Sequence, residues 1–265
     1  MSYLRATGRP LNFGSGYPKV ALFRSVTFFI GFLCFYYSLV SLPIAVAVSL
    51  FFVSPFIITI LSRIILKNKI GWHRIFAIIF GFSGTLLIVK PGLSSFRWEM
   101  LLPLFAACTY SFSMILAKLT QDKDTAFQQT LHIYIGSIFF SAIFSFLLSG
   151  SDPSLSESNS MNFLLRSWQF YNPLITMCIL AISFTGTIGI LCLITAYRIG
   201  TPSVISPFEY TMLCGGLATG YIFFGEVLDL YSFLGMTIIV ISGCYVFIRE
   251  GVRKDPVATK ISLRT

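Results

Sequence analysis

Eight apolar stretches separated by short polar segments make up most of this 265-residue chain. Each stretch is close to the ~20 residues that a helix needs to cross the hydrocarbon core of a bilayer. The pattern therefore predicts an all-α fold, a polytopic membrane bundle of about eight transmembrane helices. The predicted spans, named A to H, are 24–42, 43–66, 71–90, 97–117, 127–149, 173–197, 202–225 and 230–248.

Lys and Arg residues fall almost entirely on one side of these spans. If the N-terminus lies inside, the inside segments hold sixteen of the 19 Lys and Arg residues, and the outside segments hold only Lys90, Arg97 and Arg166. Cytoplasmic segments of membrane proteins carry such an excess of positive charge. The asymmetry predicts a multi-pass protein of the inner (plasma) membrane, with a cytoplasmic N-terminal segment at 1–23 and a cytoplasmic tail at 250–265.

The Lys and Arg residues that give the chain its net charge of +9 are the ones distributed in this way. Because these charges sit in short loops and the tail, they are interpreted as setting topology and meeting anionic lipid, and nucleic acid is not an expected partner. All six cysteines lie inside predicted helices without a CxxC pair, so they are expected to pack and not to bind metal. No HExxH, GxSxG or P-loop pattern occurs, which predicts neither an enzyme nor a cofactor.

The two ends of the chain repeat each other. IGFLCFYYSLVSLP at 30–43 resembles IGILCLITAYRIGTP at 188–202, at an offset of about 158 residues that also relates A-B-C to F-G-H. Because A and F would run in opposite directions, the repeat is inverted, as in many secondary transporters. Helices D and E have no counterpart before A. We therefore expect an incomplete five-plus-five repeat in which the first two of ten helices are missing.

Several motifs carry a family resemblance over nearly the whole chain. The first half contains FRSVTFFIGF, SLFFVSPFIITIL and GFSGTLLIVKPG, and the second contains SPFEYTMLCGG and a closing FGE before the last glycine-bearing helix. These stretches resemble the EamA-type family of the drug/metabolite transporter superfamily. The resemblance implies a partial first repeat at 24–92 and a second repeat at 97–249. One departure is Lys67-Asn68-Lys69, where family first halves often carry a glutamate that mirrors Glu226.

Glu209 is the acidic residue expected to lie deepest in a helix, about 12 Å along the axis of G. A carboxylate at that depth costs free energy unless it is neutral, paired or facing water. It is interpreted as a substrate-ammonium or proton-coupling group, or alternatively as a protonated carboxyl bonded to a neighbouring helix. Prolines interrupt both B and G, which marks binding sites in transporters with repeats. The candidate substrate-binding residues are Glu209, Tyr210, Ser206, Pro207, Ser54, Pro55, Tyr36 and Tyr37.

The function expected from these features is secondary transport of a small organic metabolite: an amino-acid-like compound, another metabolite or a drug. Proton coupling, the direction of transport and the substrate stay open. The alternatives are a truncated family member that does not transport, and an intramembrane enzyme or assembly subunit. Gly216 and Gly220 form a GxxxG spacing, which is interpreted as packing inside the bundle. A homodimer is left open.

Overall fold

The computed structural model describes residues 14–67, 71–89, 96–148, 172–206, 209, 211–225, 227 and 229–252. Helix occupies each of the eight predicted spans, and the described residues contain no β-strand, which confirms the all-α fold class. A 3₁₀ turn at Trp98–Met100 leads into the fifth helix. The helices are α1 Pro18–Ser38, α2 Ile44–Phe51, α3 Ser54–Leu66, α4 Trp72–Val89, α5 Leu101–Leu119, α6 Ala126–Leu148, α7 Pro173–Ile199, α8 Pro202–Ile205, α9 Thr211–Phe224 and α10 Leu230–Val252.

Five helical segments within the described residues are long and apolar enough to cross a membrane. They are Pro18–Ser38, Ile44–Leu66, Trp98–Leu119, Ala126–Leu147 and Pro173–Ile199. Two shorter apolar segments, Ile75–Val89 and Leu230–Tyr245, lie in α4 and α10. These lengths and compositions confirm a helical membrane bundle.

Short polar motifs fix several helix ends. Thr125 and Gln128 exchange a capping box at the start of α6: the Gln128 amide donates to Thr125 Oγ1 at 3.2 Å, and the Thr125 amide donates to Gln128 Oε1 at 2.8 Å. Asn172 caps α7 by accepting from the Leu174 amide at 3.0 Å. The end of α3 is closed by Lys67 in the left-handed region, at φ 55°.

The predicted spans B and G are each built from two helices. In B, α2 ends at Phe51 and α3 begins at Ser54. Pro55 has no amide hydrogen, so it cannot continue the hydrogen bonds of α2 into α3. In G, the four-residue α8 ends at Ile205 and α9 begins at Thr211. The interruptions expected from the sequence are therefore present in both spans.

Two antiparallel helix pairs make the most extensive contacts in the bundle. In the first pair, α1 crosses α5 with Gly31 against Thr109, and in the second α4 runs against α10 with Gly84 against Gly235. The helices α2 and α9 also pack together, as do α3 and α5. The pairs α2–α9 and α4–α10 join equivalent members of the two predicted repeats. The inverted relation of the repeats themselves stays a prediction.

The broken span B lies at the centre of the bundle. Within its apolar window 72% of residues are buried, against 6% in the window of α7. One apolar cluster joins α1, α3, α5, α6 and α7, and a second joins α2, α3, α4 and α10. Because α3 takes part in both clusters, the break at Ser54 lies where the two halves of the core meet.

Candidate functional site

The side chain of Glu209 lies in the interior of the bundle, with 7% of the residue exposed. The hydroxyl of Tyr110 donates to Glu209 Oε1 at 2.6 Å, and the hydroxyl of Tyr197 donates to the same oxygen at 2.5 Å. A buried carboxylate is stable only when hydrogen bonds or an opposite charge replace its hydration. The two tyrosines supply hydrogen bonds that replace part of that hydration.

Three separate elements bring this triad together. Tyr110 lies near the middle of α5, Tyr197 lies in the last turn of α7, and Glu209 lies in the interruption between α8 and α9. Tyr197 is fully buried and belongs to the cluster that joins α3, α5 and α7. Phe51, the last residue of α2, packs its ring 5.2 Å from that of Tyr110. The end of α2 thereby borders the site.

Two fully buried serine hydroxyls lie at the two helix breaks. Ser54 begins α3 and Ser206 follows α8, and both residues are 0% exposed. Neither Oγ atom has a hydrogen-bond partner among the described residues. The hydroxyl of Ser111, next to Tyr110, donates to the carbonyl of Ser54 at 3.2 Å. A buried hydroxyl without a partner loses free energy that a bound polar group can restore.

The structure brings some of the predicted site residues together and separates others. Glu209, Ser206, Ser54 and Pro55 are all buried at or next to the two helix breaks. Tyr36 lies elsewhere: it is 50% exposed and stacks on Phe32. The partly buried Tyr37 is not among the residues that donate to Glu209. Pro207 and Tyr210 lie outside the described residues, so their inclusion stays a prediction.

Comparison with known proteins agrees with this architecture. The family model for the EamA-like transporter family matches residues 4–90 and 97–249. The chain belongs to this family.

Named relatives of this EamA-like chain come from several bacteria. The riboflavin transporter of Vibrio cholerae serotype O1 is 26% identical over 206 residues, which cover 77% of this chain and 62% of that protein. The S-adenosylmethionine uptake transporter of Rickettsia bellii is 26% identical over 233 residues, covering 88% and 74% of the two chains. The same transporter of Rickettsia prowazekii is 22% identical, covering 88% and 73%. These names agree with the expectation that the chain is not an enzyme.

The sequence singles out the tyrosines that contact Glu209 as two of six whose buried hydroxyls need polar partners, but they are not among the predicted site residues. Tyr110 and Tyr197 lie 99 and 12 positions from Glu209, and only the folded chain shows that they share one oxygen. A sequence signal did exist, because a tyrosine hydroxyl buried in an apolar span needs a polar partner. Tyr197 also directly precedes Arg198, a basic residue of the kind that marks the last turn of a helix.

A second polar network joins the ends of α5 and α7 in this EamA-like fold. Lys118, which is fully buried, donates from Nζ to the carbonyl of Arg198 at 2.7 Å and to that of Ile199 at 3.5 Å. In return, Arg198 donates from Nη2 to the carbonyl of Gln121 at 3.0 Å. Each helix therefore supplies a cation to the carbonyl end of the other, where the helix dipole favours positive charge.

The segment before α1 is attached to the same end of the bundle. Asp124, which follows α5, accepts from the Ser15 hydroxyl at 2.7 Å and from the Gly16 amide at 2.6 Å. Lys123 lies over the Tyr17 ring at 4.5 Å from its centroid. This end of the bundle holds the starts of α1, α4 and α6 and the ends of α3, α5, α7 and α10. We call it the basic end. The polar contacts at this end connect α5 and α7, the helices that carry Tyr110 and Tyr197, to the segment before α1.

Proposed function

We propose that this EamA-like chain is a secondary transporter of small organic metabolites and that its substrate binds at Glu209. The observation that carries the proposal is a buried carboxylate, held by two tyrosine hydroxyls, at an interrupted helix. Ionisable residues inside membrane spans mark substrate and ion pathways. Interrupted helices in corresponding positions of two repeats mark transporter binding sites.

The chemistry around Glu209 fits an organic cation. The carboxylate supplies negative charge, and the neighbouring rings of Tyr110 and Phe51, 5.2 Å apart, supply faces that attract cations. The buried hydroxyls of Ser54 and Ser206 can bond to polar parts of the same molecule. S-adenosylmethionine, named for the Rickettsia relatives, carries a sulfonium and an ammonium group. We therefore place the substrate among metabolites that bear a cationic nitrogen or sulfur.

The same carboxylate can be the group that binds and releases the transported cation or proton during the transport cycle. In an inverted repeat, rocking of the two halves exposes a central site to one side of the membrane and then to the other. The broken spans α2–α3 and α8–α9 belong to different halves, and α2 packs against α9. Glu209 lies at one of these breaks, so a substrate cation or a proton bound there would be carried between the two sides.

The proposed location is the inner (plasma) membrane, with the basic end in the cytoplasm. The support is the distribution of Lys and Arg residues along the sequence. This orientation places the contacts of Lys118, Arg198 and Asp124 on the cytoplasmic side of Glu209. In this orientation the contacts of Lys118 and Arg198 would hold the cytoplasmic ends of α5 and α7 together.

Glu209→Gln tests the function. We expect purified wild-type protein in proteoliposomes to take up labelled S-adenosylmethionine. In the variant the rate of uptake should fall about tenfold or more, because the amide lacks the negative charge that pairs with the cation. Glu99→Gln is the matched control, since Glu99 lies in the turn before α5 and not at the site. Labelled riboflavin, which lacks a cationic group, serves as the second substrate.

Three outcomes bear on different parts of the proposal. Equal uptake of S-adenosylmethionine by Glu209→Gln and Glu99→Gln would remove Glu209 from the binding site. Uptake of riboflavin alone would contradict the cationic substrate class and leave transport standing. A wild-type chain that inserts, binds both molecules in a filter assay and moves neither would identify a family member that does not transport.

A further inference from the structure

A groove of about 560 Å³ runs along the outer surface where α4 packs against α10. Its wall is apolar and exposed: Phe76, Ile79, Phe80 and Ile241 each show more than half of their surface. The volume falls within the range of small-ligand sites, about 300–1,000 Å³. The groove is separate from the Glu209 site, because neither α4 nor α10 contributes a residue to that site.

The length of the groove matches one leaflet of a bilayer. It begins at His73, in the first turn of α4, and extends to Ser83. Ten residues of helix span about 15 Å, which is half of the ~30 Å hydrocarbon core. An occupant that fills the groove would therefore extend from the membrane surface to the midplane.

The mouth of the groove at the basic end is polar. His73 Nδ1 and Tyr245 Oη lie 2.8 Å apart there, bridging the two helices. Arg249 follows Tyr245 by four residues on α10, so it lies on the same face one turn nearer the end of the helix, and it is exposed. None of the described residues that line the groove is acidic. An apolar wall half a membrane long with a cationic mouth is complementary to a lipid with an anionic headgroup.

We propose that this groove is a binding site for an anionic phospholipid of the leaflet at the basic end. One acyl chain lies along Phe76, Phe80 and Ile241, and the phosphate lies over His73, Tyr245 and Arg249. Basic pockets between membrane helices bind anionic headgroups in this way. The charge at the mouth favours lipid over a second copy of the chain, because a symmetric contact through this face would bring two Arg249 side chains together. The proposal does not depend on transport or on the identity of the transported substrate.

Fluorescence quenching by brominated lipids tests the site directly. Trp72, Trp98 and Trp168 are first replaced by Phe, and Phe80→Trp then places a reporter inside the groove. The matched control is Ile135→Trp, a 55% exposed position on α6 at similar depth from the basic end. Each variant is reconstituted with brominated phosphatidylglycerol or brominated phosphatidylcholine mixed into unbrominated phosphatidylcholine.

We expect the anionic lipid to be preferred about fivefold at the groove reporter, the factor that one basic side chain near a membrane surface contributes. At Ile135→Trp the preference should be close to one. His73→Gln combined with Arg249→Gln should remove the preference at the groove while overall lipid quenching persists. If Phe80→Trp does not fold, Ile79→Trp provides a second reporter in the groove.

Two results would overturn the proposal. Equal preferences at the groove and at the α6 control would show ordinary contact with the surrounding bilayer. A groove reporter shielded from both lipids, together with a dimer mass by light scattering, would show that a second copy covers this face.

Discussion

Glu209 Oε1 accepts two hydroxyl hydrogen bonds, and this sharing makes a specific prediction about stability. Tyr110→Phe or Tyr197→Phe alone leaves one donor in place, and each should lower the free energy of unfolding by about 1–3 kcal/mol. The double variant removes every donor seen at that oxygen, so we expect its loss to exceed the sum of the single losses. Thermal unfolding of each variant in detergent measures all three losses of stability. Tyr221→Phe, at a 67% exposed position, is the control. Strict additivity would show that the two hydroxyls do not share the carboxylate.

Single residues show clearly what could be read from the sequence. Glu209 was identified because an acid in the middle of an apolar span is rare and costly. Tyr110 and Tyr197 could not be assigned to it as partners, because only the fold brings α5 and the end of α7 to the same carboxylate oxygen. Tyr36 and Tyr37 are expected at the site because a buried tyrosine hydroxyl needs a polar partner, but Tyr36 lies half exposed on the outside of α1. Lys118 was interpreted as a loop charge, whereas it is fully buried and bonded to the end of α7. A periodic pattern places residues on elements, but it does not show which elements meet.

At the level of elements, the contact between α4 and α10 depends on two glycines. A Cβ atom on Gly84 would lie 2.5 Å from the Gly235 carbonyl oxygen, and a Cβ atom on Gly235 would lie 2.5 Å from the Gly84 carbonyl oxygen. Small residues allow such close backbone approach between membrane helices. Gly84→Val or Gly235→Val should therefore force the helices apart and cost about 1–3 kcal/mol or more, as overpacking does. The yield of folded protein and its melting temperature in detergent measure the effect.

The control for this prediction is Gly189→Ala in α7, where a Cβ atom would meet nothing within 4 Å. That variant should fold like the wild type, and the removal of a helical glycine slightly favours its stability. Unchanged melting of Gly84→Val would contradict the close packing of α4 and α10. The sequence shows a glycine at this point of span C, but its partner Gly235 is identified only by the packing of the two helices.

The helix breaks were predictable because their cause is local. Pro55 and Pro207 cannot donate a backbone hydrogen bond, so each span containing one was expected to be interrupted. In span B the break immediately precedes Pro55, which lies in the first turn of α3, and in span G α8 and α9 lie on either side of position 207. The reciprocal contacts between the ends of α5 and α7 have no local signal, because Lys118 and Arg198 are separated by 80 positions. Elements follow from short-range pattern, whereas the contacts that hold them together follow from the fold.

At the scale of the whole molecule, charge distribution predicts how the bundle sits in its membrane. The described Lys and Arg residues gather at the basic end, including Lys19, Lys67, Lys123 and Arg249, while Arg97 lies at the opposite end. Translocating such a set of cations across a membrane is disfavoured, so this end should stay in the cytoplasm.

A reporter fused after Arg253 should be active only as a cytoplasmic fusion, and one inserted within 151–159 only as an external fusion. A matched variant with Arg97→Gln should keep this topology, because it removes a positive charge from the opposite side. The reverse activities would contradict the orientation and would place the contacts of Lys118 and Arg198 on the external side of Glu209.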